Sequence, residues 1–143
     1  MTLPNFALVA AVRESDTKVP LVKQYRHGAK RDFWELPAGL LERDEKPEEC
    51  VKREFREEVG YELVNPELLT SVFTSPARTA QIAHIFSGTV GKRSRKRLDA
   101  NEALTTKFVT KASALKLLSR NISATHLLAY LIAQKQQPDS ATR

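Results

Sequence analysis

The sequence predicts an α+β fold in which antiparallel strands are flanked by helices. Short apolar runs rich in β-forming residues, such as 6–12 and 81–90, are separated by turn-forming residues. Segments 47–59, 111–119 and 123–136 instead carry helical patterns. Because strands and helices are mixed without a strict βαβ repeat, the pattern favours the α+β class.

Length and composition suit one globular domain. The 143 residues are 41% apolar and 28% charged, which is ordinary for a chain with one sizeable core. We predict a single domain over 1–137 and a flexible tail over 138–143. The chain has no apolar run near the ~20 residues that span a bilayer, no signal peptide and one cysteine, Cys50. We therefore expect a cytoplasmic protein without membrane contact.

The N-terminal elements are predicted to be strands. Residues 6–12 and 19–26 are apolar runs on either side of a turn-like segment, which predicts a hairpin. Residues 33–39 form a short strand that ends where Pro37 and Gly39 break regularity.

Three strands and two helices are predicted after the central helix. The strands cover 68–75, 81–90 and 106–110, and the helices cover 111–119 and 123–136. Ser123 is the predicted N-cap of the last helix. In that helix, apolar residues recur at helical spacing at Leu127, Leu128, Leu131 and Ile132.

The sequence contains signals for both ends of the central helix, 47–59. Pro47 fits the first helical turn, where its missing N–H costs nothing. Glu48 and Glu49 follow at the positive end of the helix dipole. Gly60 falls where a C′ glycine ends a helix.

Two faces of this helix differ in character. The apolar stripe, which should face the core, comprises Val51, Phe55 and Val59. Glu54, Glu57 and Glu58 share another face, about a quarter turn away, where helix meets sheet and a cleft could form. Clustered carboxylates repel each other by several tenths of a kcal/mol per pair. Arg53 lies four residues before Glu57 and would offset part of this repulsion. A divalent cation would offset more of it.

The carboxylate oxygens of these residues indicate which kind of metal ion the site would bind. Carboxylates at this density suit Mg²⁺ or Mn²⁺, and no histidine or cysteine stands nearby at zinc-ligand spacing. From the helix alone, a salt-bridged surface face remains the alternative.

The residues from Gly39 onward, GLLERDEKPEECVKREFREEVGY, resemble the Nudix box, G-x5-E-x7-R-E-U-x-E-E-x-G-U, where U is apolar. The fixed positions are filled by Gly39, Glu45, Arg53, Glu54, Glu57, Glu58 and Gly60. Tyr61 stands at the last U position, where an aliphatic residue is more usual. With each fixed residue used at roughly 7%, a chance match at a given start is on the order of one in 10⁸.

The resemblance to Nudix hydrolases implies an α/β/α sandwich around a mixed β-sheet. It also implies Mg²⁺-dependent hydrolysis of a nucleoside diphosphate linked to another group, with Mn²⁺ as an alternative metal. The implied metal ligands are Glu54, Glu57 and Glu58, with Glu45 as an outer ligand and Gly39 contributing through its loop carbonyls. The implied catalytic residues are Arg53, which orients the carboxylates, and a general base taken from Glu54, Asp99 and Glu102.

Flanking segments resemble the ADP-ribose and nucleoside-diphosphate-sugar pyrophosphatase branch of that family. They are QYR, WELPAGLLE, LDANEAL and Pro76, which lies sixteen residues after Gly60. The implied substrate-binding residues are Arg26 for phosphate, Tyr25 or Trp34 for stacking on the nucleoside, and Glu35 and Arg78. Core packing is the alternative for Trp34, and a solvated strand end is the alternative for Arg26.

The chain departs from the branch in its acidic loop, where only Asp99 and Glu102 remain as general-base candidates, and in the loop after Pro76. The branch usually continues with glycine and later an acidic residue, whereas this chain has Ala77 and Gln81. A carboxylate that would assist metal or substrate is therefore missing. Larger members also carry an N-terminal extension that builds a dimer, and this chain begins close to its first strand, so a homodimer stays open.

We expect hydrolysis of ADP-ribose or a related nucleotide sugar to a nucleoside monophosphate and a sugar phosphate. One alternative is hydrolysis of nucleoside triphosphates, dinucleoside polyphosphates or RNA ends. The net charge of +6 and the basic run 91–97 favour RNA weakly, since that run lacks aromatic residues for stacking. The other alternative is a nucleotide-binding domain without turnover. The expected partner is a small nucleotide.

Overall fold

The computed structural model of the chain describes residues 2–94, 105–121 and 124–136. The predicted N-cap Ser123, the base candidates Asp99 and Glu102, the tail 138–143 and residues 95–97 of the basic run lie outside the described residues. In chain order the elements are β1 (Phe6–Val12), β2 (Val19–Arg26), β3 (Arg31–Glu35), β4 (Ala38–Leu40), α1 (Pro47–Val59), β5 (Tyr61–Phe73), β6 (Ile82–Arg93), β7 (Thr105–Val109), α2 (Lys111–Asn121) and α3 (Ala124–Gln136).

The strands form two sheets that lie between the helices. One is mixed and four-stranded, in the order β4-β1-β6-β5, with β1 and β6 parallel. The other is antiparallel, in the order β3-β2-β7. Helix α1 packs in one apolar core through Val51 and Phe55, and helices α2 and α3 pack in a second core on the other side through Leu118 and Tyr130. The predicted α+β class and α/β/α layering are confirmed.

The predicted hairpin of 6–12 with 19–26 is wrong, because β1 and β2 belong to different sheets. Strand β1 pairs with β4 and β6, whereas β2 pairs with β3 and β7. Leu8 and Val9 point to opposite faces of β1 and are both fully buried. A strand with apolar side chains on both faces suits the interior of a sheet between two layers rather than a half-exposed hairpin.

The predicted strand 33–39 is likewise divided between the two sheets. Strand β3 ends at Glu35 and β4 begins at Ala38, so Leu36 and Pro37 cross from one sheet to the other. Pro37 cannot donate a ladder hydrogen bond, but its carbonyl accepts the Val9 N–H at 3.1 Å. This crossing segment carries the chain past the site described below.

Helix α1 is confirmed at both ends. Pro47 occupies the first turn, and the Lys46 N–H donates to Glu49 Oε2 at 3.0 Å. Gly60 ends the helix with φ of 80°, the left-handed conformation that favours glycine. The predicted stripe, Val51, Phe55 and Val59, is buried.

Helix α3 is confirmed, but only Leu127 and Ile132 of its four predicted apolar residues pack against the core. Its buried residues are His126, Ala129, Tyr130 and Ala133. Leu128 and Leu131 are 43% and 44% exposed. The alanines allow a close approach to the sheet, and the Tyr130 hydroxyl is satisfied by donating to the Lys111 carbonyl at 2.8 Å.

Strands β5 and β6 are longer than the predicted 68–75 and 81–90, and β5 begins at Tyr61, directly after Gly60. The early part of β5 contains Pro66 and irregular pairing with β6. Bulges and an edge-strand proline disturb the alternation by which a strand is recognised. Among the described residues, no helix combines the length and apolar content needed to cross a membrane.

Candidate functional site

A cavity of about 880 Å³ lies between helix α1, strand β4 with the residues after it, and strand β2. Glu54, Glu57 and Glu58 of α1 line one side, which we call the acidic wall. Arg26 of β2 and His126 of α3 line another part of the cavity. With Glu35, which lies behind them, these two residues form what we call the Arg26 wall.

The acidic wall is anchored on the chain that follows Pro37. Glu58 is only 8% exposed, and its Oε2 accepts the Ala38 N–H at 3.3 Å. Glu54 packs directly over Gly39, where an added Cβ would overlap its carboxyl group. Gly39 is therefore required for close approach of the carboxylate to the backbone.

Arg53 ties the cluster together. Its Nε and Nη2 donate to the two carboxylate oxygens of Glu45 at 2.8 and 2.9 Å, a bidentate pair. Its Nη1 donates to Glu54 at 2.6 Å and lies 3.6 Å from Glu57. The Arg53 hydrogen bonds lower the pKa of Glu45 to about 2. Arg56 pairs with Glu62 instead of the cluster.

Arg53 compensates the inner carboxyl groups of the acidic wall only in part. Burial, with the nearby charge of Glu54, raises the pKa of Glu58 well above its usual value. Burial also raises the pKa of Glu54, against the opposing effect of Arg53. Two neighbouring carboxyl groups with raised pKa values are a marked feature of functional sites.

The donor chemistry of this wall fits a hard divalent cation. Buried carboxylate oxygens are the ligands that Mg²⁺ and Mn²⁺ prefer, and a cation would stabilise the charge that burial disfavours. As the side chains stand in the described residues, no three carboxylate, histidine or cysteine groups converge on one point. The Glu57 side chain is 40% exposed and lines the cavity beside Glu54 and Glu58.

The Arg26 wall is internally paired. Arg26 Nε donates to Glu35 Oε1 and Nη2 donates to Oε2, both at 2.7 Å. Glu35 is 3% exposed, whereas nearly half of the Arg26 side chain faces solvent. Behind the pair, His126 Nδ1 accepts the Leu36 N–H at 3.0 Å. The predicted substrate residues Arg26 and Glu35 are thus brought together.

The structure does not bring Tyr25 and Trp34 into this cavity. Neighbouring strand residues point to opposite faces, so Tyr25 and Arg26 diverge. Tyr25 is 50% exposed and makes an edge contact with His27. Trp34 packs against the core under α2 and α3, the alternative that the sequence left open.

Arg78 borders a smaller cavity of about 420 Å³, and Gln81 lines both cavities. The Gln81 side chain is committed to the fold: Nε2 donates to the Pro4 carbonyl at 2.7 Å, and Oε1 accepts from Thr74 Oγ1 at 3.0 Å. A glutamate could not donate to the Pro4 carbonyl. The amide at position 81 therefore holds this loop to the N-terminal segment.

The residues that line the main cavity and were not predicted from the sequence include Gln24 and His126. Gln24 precedes Arg26 by two residues and shares its face of β2, so strand alternation from Arg26 could have indicated it. His126 could be recognised only as a polar residue within an apolar helix.

Comparisons with known proteins agree with this geometry. The chain matches the protein-family model of the NUDIX domain over residues 3–131. It is 35% identical over 117 residues to the ADP-ribose pyrophosphatase of Bacillus subtilis (strain 168), covering 80% of this chain and 63% of the relative. It is 42% identical over 53 residues to a GDP-mannose pyrophosphatase of Yersinia enterocolitica serotype O:8, covering 37% of this chain and 27% of the relative. The chain thus spans less than two thirds of these relatives.

A solved structure of an ADP compounds hydrolase superposes on this chain with a TM-score of 0.82 at 19% sequence identity. The match covers 92% of this chain and 71% of the other, so the two share a fold. The family match spans nearly the whole described structure and includes all seven fixed positions of the motif. The chain belongs to the Nudix family.

Proposed function

We propose that the chain hydrolyses the diphosphate bond of ADP-ribose or a related nucleoside diphosphate sugar, with Mg²⁺, to a nucleoside monophosphate and a sugar phosphate. One observation carries the proposal: a single cavity has a carboxylate cluster that Arg53 compensates only in part on one side and an arginine on another. A metal-bound diphosphate needs both, because its charge is shared between a cation and basic side chains.

The acidic wall is the proposed metal site. Glu54, Glu57 and Glu58 would hold the cation, with Glu45 behind them and the Gly39 loop carbonyls beside them. When bound, the divalent cation neutralises phosphate oxygens and lowers the pKa of an attacking water.

Each side chain of the acidic wall has a further task. Arg53, fixed by its bidentate pair with Glu45, orients Glu54. Glu58 is oriented by the Ala38 N–H. We assign the general base to Glu54, because its carboxyl group lines the cavity directly over Gly39. Asp99 and Glu102 are the other candidates, outside the described residues.

On the other side of the cavity, Arg26 would bind a phosphate of the substrate. Glu35 takes its Nε and Nη2 donors, which fixes the guanidinium plane. Among the described residues, Arg26 Nη1 has no hydrogen-bond partner, so it can donate to a phosphate oxygen. Gln24 lies beside it and can donate to the same ligand. Arg78 would contact the part of the substrate that extends toward the smaller cavity.

The relatives favour a nucleotide sugar over other diphosphates. Those compared above are named for ADP-ribose and GDP-mannose. They differ in base and in sugar and share a diphosphate between two sugars. We therefore propose this shared unit as the feature recognised, ahead of nucleoside triphosphates, dinucleoside polyphosphates, RNA ends or binding without turnover.

Product analysis tests the proposal. The protein is incubated with Mg²⁺ and, separately, ADP-ribose, GDP-mannose, a nucleoside triphosphate and capped RNA, with a chelator control for each. We expect AMP and ribose 5-phosphate from ADP-ribose, or GMP and mannose 1-phosphate from GDP-mannose, and nothing with the chelator. Diphosphate released only from the triphosphate would overturn the substrate class. Tight binding with no turnover under any metal would overturn the enzymatic proposal.

A further inference from the structure

His126 is a buried polar side chain at the site that the proposed chemistry does not use. It lies on α3, is 6% exposed and lines the main cavity. Its hydrogen-bond partner, Leu36, is ninety residues earlier in the chain. A histidine in such a position is either a satisfied core residue or a residue that sets the geometry of its neighbours.

The hydrogen bond defines the tautomer of His126. The Leu36 N–H donates to Nδ1 at 3.0 Å, so Nδ1 carries no proton and the neutral ring carries its proton on Nε2. Burial lowers the pKa of His126 to about 4, which keeps the ring neutral near pH 7. Nε2 lies 3.9 Å from Glu35 Oε2, too far for a hydrogen bond but close enough to orient the ring dipole toward the carboxylate.

Glu35 is the carboxylate that fixes Arg26. Both of its oxygens accept hydrogen bonds from the Arg26 guanidinium, at 2.7 Å each. Because Glu35 is 4% exposed at its side chain, its position depends on the groups packed around it, and His126 is one of them. A shift of Glu35 would turn the guanidinium and redirect Arg26 Nη1.

The crossing segment is held from two sides around Pro37. His126 of α3 accepts the Leu36 N–H, and Glu58 of α1 accepts the Ala38 N–H. These two side chains supply the hydrogen-bond acceptors that a neighbouring strand supplies to backbone N–H groups within a β-sheet. The segment joins Glu35 to Ala38, so its position relates the Arg26 wall to the acidic wall.

We propose that His126 is a positioning residue for substrate phosphate. Its ring fixes the Leu36 backbone through Nδ1 and backs the Glu35–Arg26 pair through Nε2–H, so that Arg26 presents its remaining donor to the cavity. The assignment rests on the proposed function, in which Arg26 contacts a phosphate of the substrate.

Two substitutions separate the ring nitrogens. In His126→Asn, the amide oxygen can accept the Leu36 N–H in place of Nδ1, but nothing replaces Nε2–H. In His126→Gln, the longer amide can replace Nε2–H and leaves the Leu36 N–H without its acceptor. His27→Asn, at an exposed site beyond β2, is the matched control. Thermal melting establishes that each variant is folded.

The decisive readout is the Kd of ADP in the presence of a chelator, measured by calorimetry, together with KM and kcat for the substrate that is turned over. We expect His126→Asn to raise Kd and KM roughly tenfold with little change in kcat, the size typical of losing an outer partner. Combined with Arg26→Ala, it should add almost nothing, because both changes remove the same contact. His27→Asn should change neither constant.

The outcomes distinguish the two proposals. Unchanged Kd in folded His126→Asn, or an equal further loss on top of Arg26→Ala, would show that His126 only supports the fold. If the wild type binds ADP but hydrolyses nothing, the enzymatic proposal fails and the Kd comparison still decides the role of His126. If the wild type binds no ADP in the chelator but hydrolyses a substrate with Mg²⁺, the KM comparison decides the role of His126.

A measurement on the wild type tests the proposal even if the variants fail to fold. Long-range ¹H–¹⁵N spectra of the histidine rings should show His126 protonated at Nε2 and not at Nδ1 at pH 7. The opposite tautomer, or a charged ring, would refute the assignment without any substitution.

Discussion

The two walls of the cavity differ in how their charges are balanced. The acidic wall concentrates three carboxylates on one face of α1, and burial raises the pKa of Glu54 and Glu58. In the Arg26 wall, the buried carboxylate of Glu35 is matched by a bidentate arginine and backed by a neutral histidine. The unbalanced wall is suited to gaining a cation. The balanced wall is suited to presenting one donor in a fixed direction.

The largest expected effect comes from neutralising the acidic wall. Glu58→Gln should lower kcat by a factor of roughly 10² or more, since it removes a proposed metal ligand. Without metal, the same variant should melt at an equal or higher temperature, because a buried charge is no longer held near Glu54. Steady-state kinetics and calorimetric melting measure the two effects.

Glu48→Gln is the control for Glu58→Gln. It makes the same change on the exposed side of α1, where Glu48 pairs with Lys52, and should leave activity and melting nearly unchanged. Wild-type activity in Glu58→Gln would remove Glu58 from the metal site.

The Arg26 wall should respond in the opposite way, losing stability when one partner is removed. Arg26→Ala leaves Glu35 buried without its partner and should cost about 3 kcal/mol in the free energy of unfolding, the low end for a broken buried pair because Arg26 is half exposed. Adding Glu35→Gln should restore much of the stability but not the substrate KM. Urea denaturation and kinetics separate these results. Full recovery of KM in the double variant would show that Arg26 does not bind phosphate.

The acidic wall was readable from the sequence because its geometry is local. Pro47 and Gly60 define the ends of α1, and a regular helix then fixes the relative directions of Glu54, Glu57 and Glu58. Only Gly39 and Glu45 come from outside the helix. They were recognised because they stand at the distances along the chain from Arg53 that the motif requires.

The Arg26 wall was only partly readable because it joins residues distant in sequence. Arg26 and Glu35 were recognised separately, but their pairing depends on the register of β2 with β3. The contact of His126 with Leu36 depends on how α3 docks. Strand pairing caused the other errors: nothing local shows that β1 and β2 separate into two sheets, or which face of β3 carries Trp34.

The stability of the protein should depend on pH through His126, the neutral histidine of the Arg26 wall. The folded pKa of His126 is lowered to about 4 by burial, below its usual 6.5. Between these values the unfolded chain binds a proton that the folded chain does not, so stability is present above pH 6.5 and is lost as pH falls toward 4. The expected contribution is about 2 kcal/mol between pH 7 and pH 5.

Urea unfolding of the wild type and His126→Asn at both pH values measures this contribution as a difference. Glu54 and Glu58, whose folded pKa values are raised, act with the opposite sign in this range, and the difference cancels them. Glu45, with a pKa of about 2, contributes only below about pH 4.5. An equal loss of stability in both proteins would mean that His126 is not the titrating group.

The smallest expected effect concerns the loop that separates the two cavities. Gln81→Glu removes the donor to the Pro4 carbonyl and should cost about 1 kcal/mol in the free energy of unfolding. Chemical denaturation measures the loss, with Gln136→Glu on the exposed end of α3 as the control. A more stable Gln81→Glu variant would show that the Pro4 contact does not hold the loop.

The acidic wall itself can be tested without reference to any substrate. Mn²⁺ is added in small steps to ¹⁵N-labelled protein, and paramagnetic broadening of each backbone amide is followed, with excess Mg²⁺ as the competitor. We expect broadening centred on Gly39, Glu54, Glu57 and Glu58, reversed by Mg²⁺ and abolished in Glu58→Gln. Broadening centred elsewhere, or the same pattern in Glu58→Gln, would contradict the metal site on which the proposed hydrolysis depends.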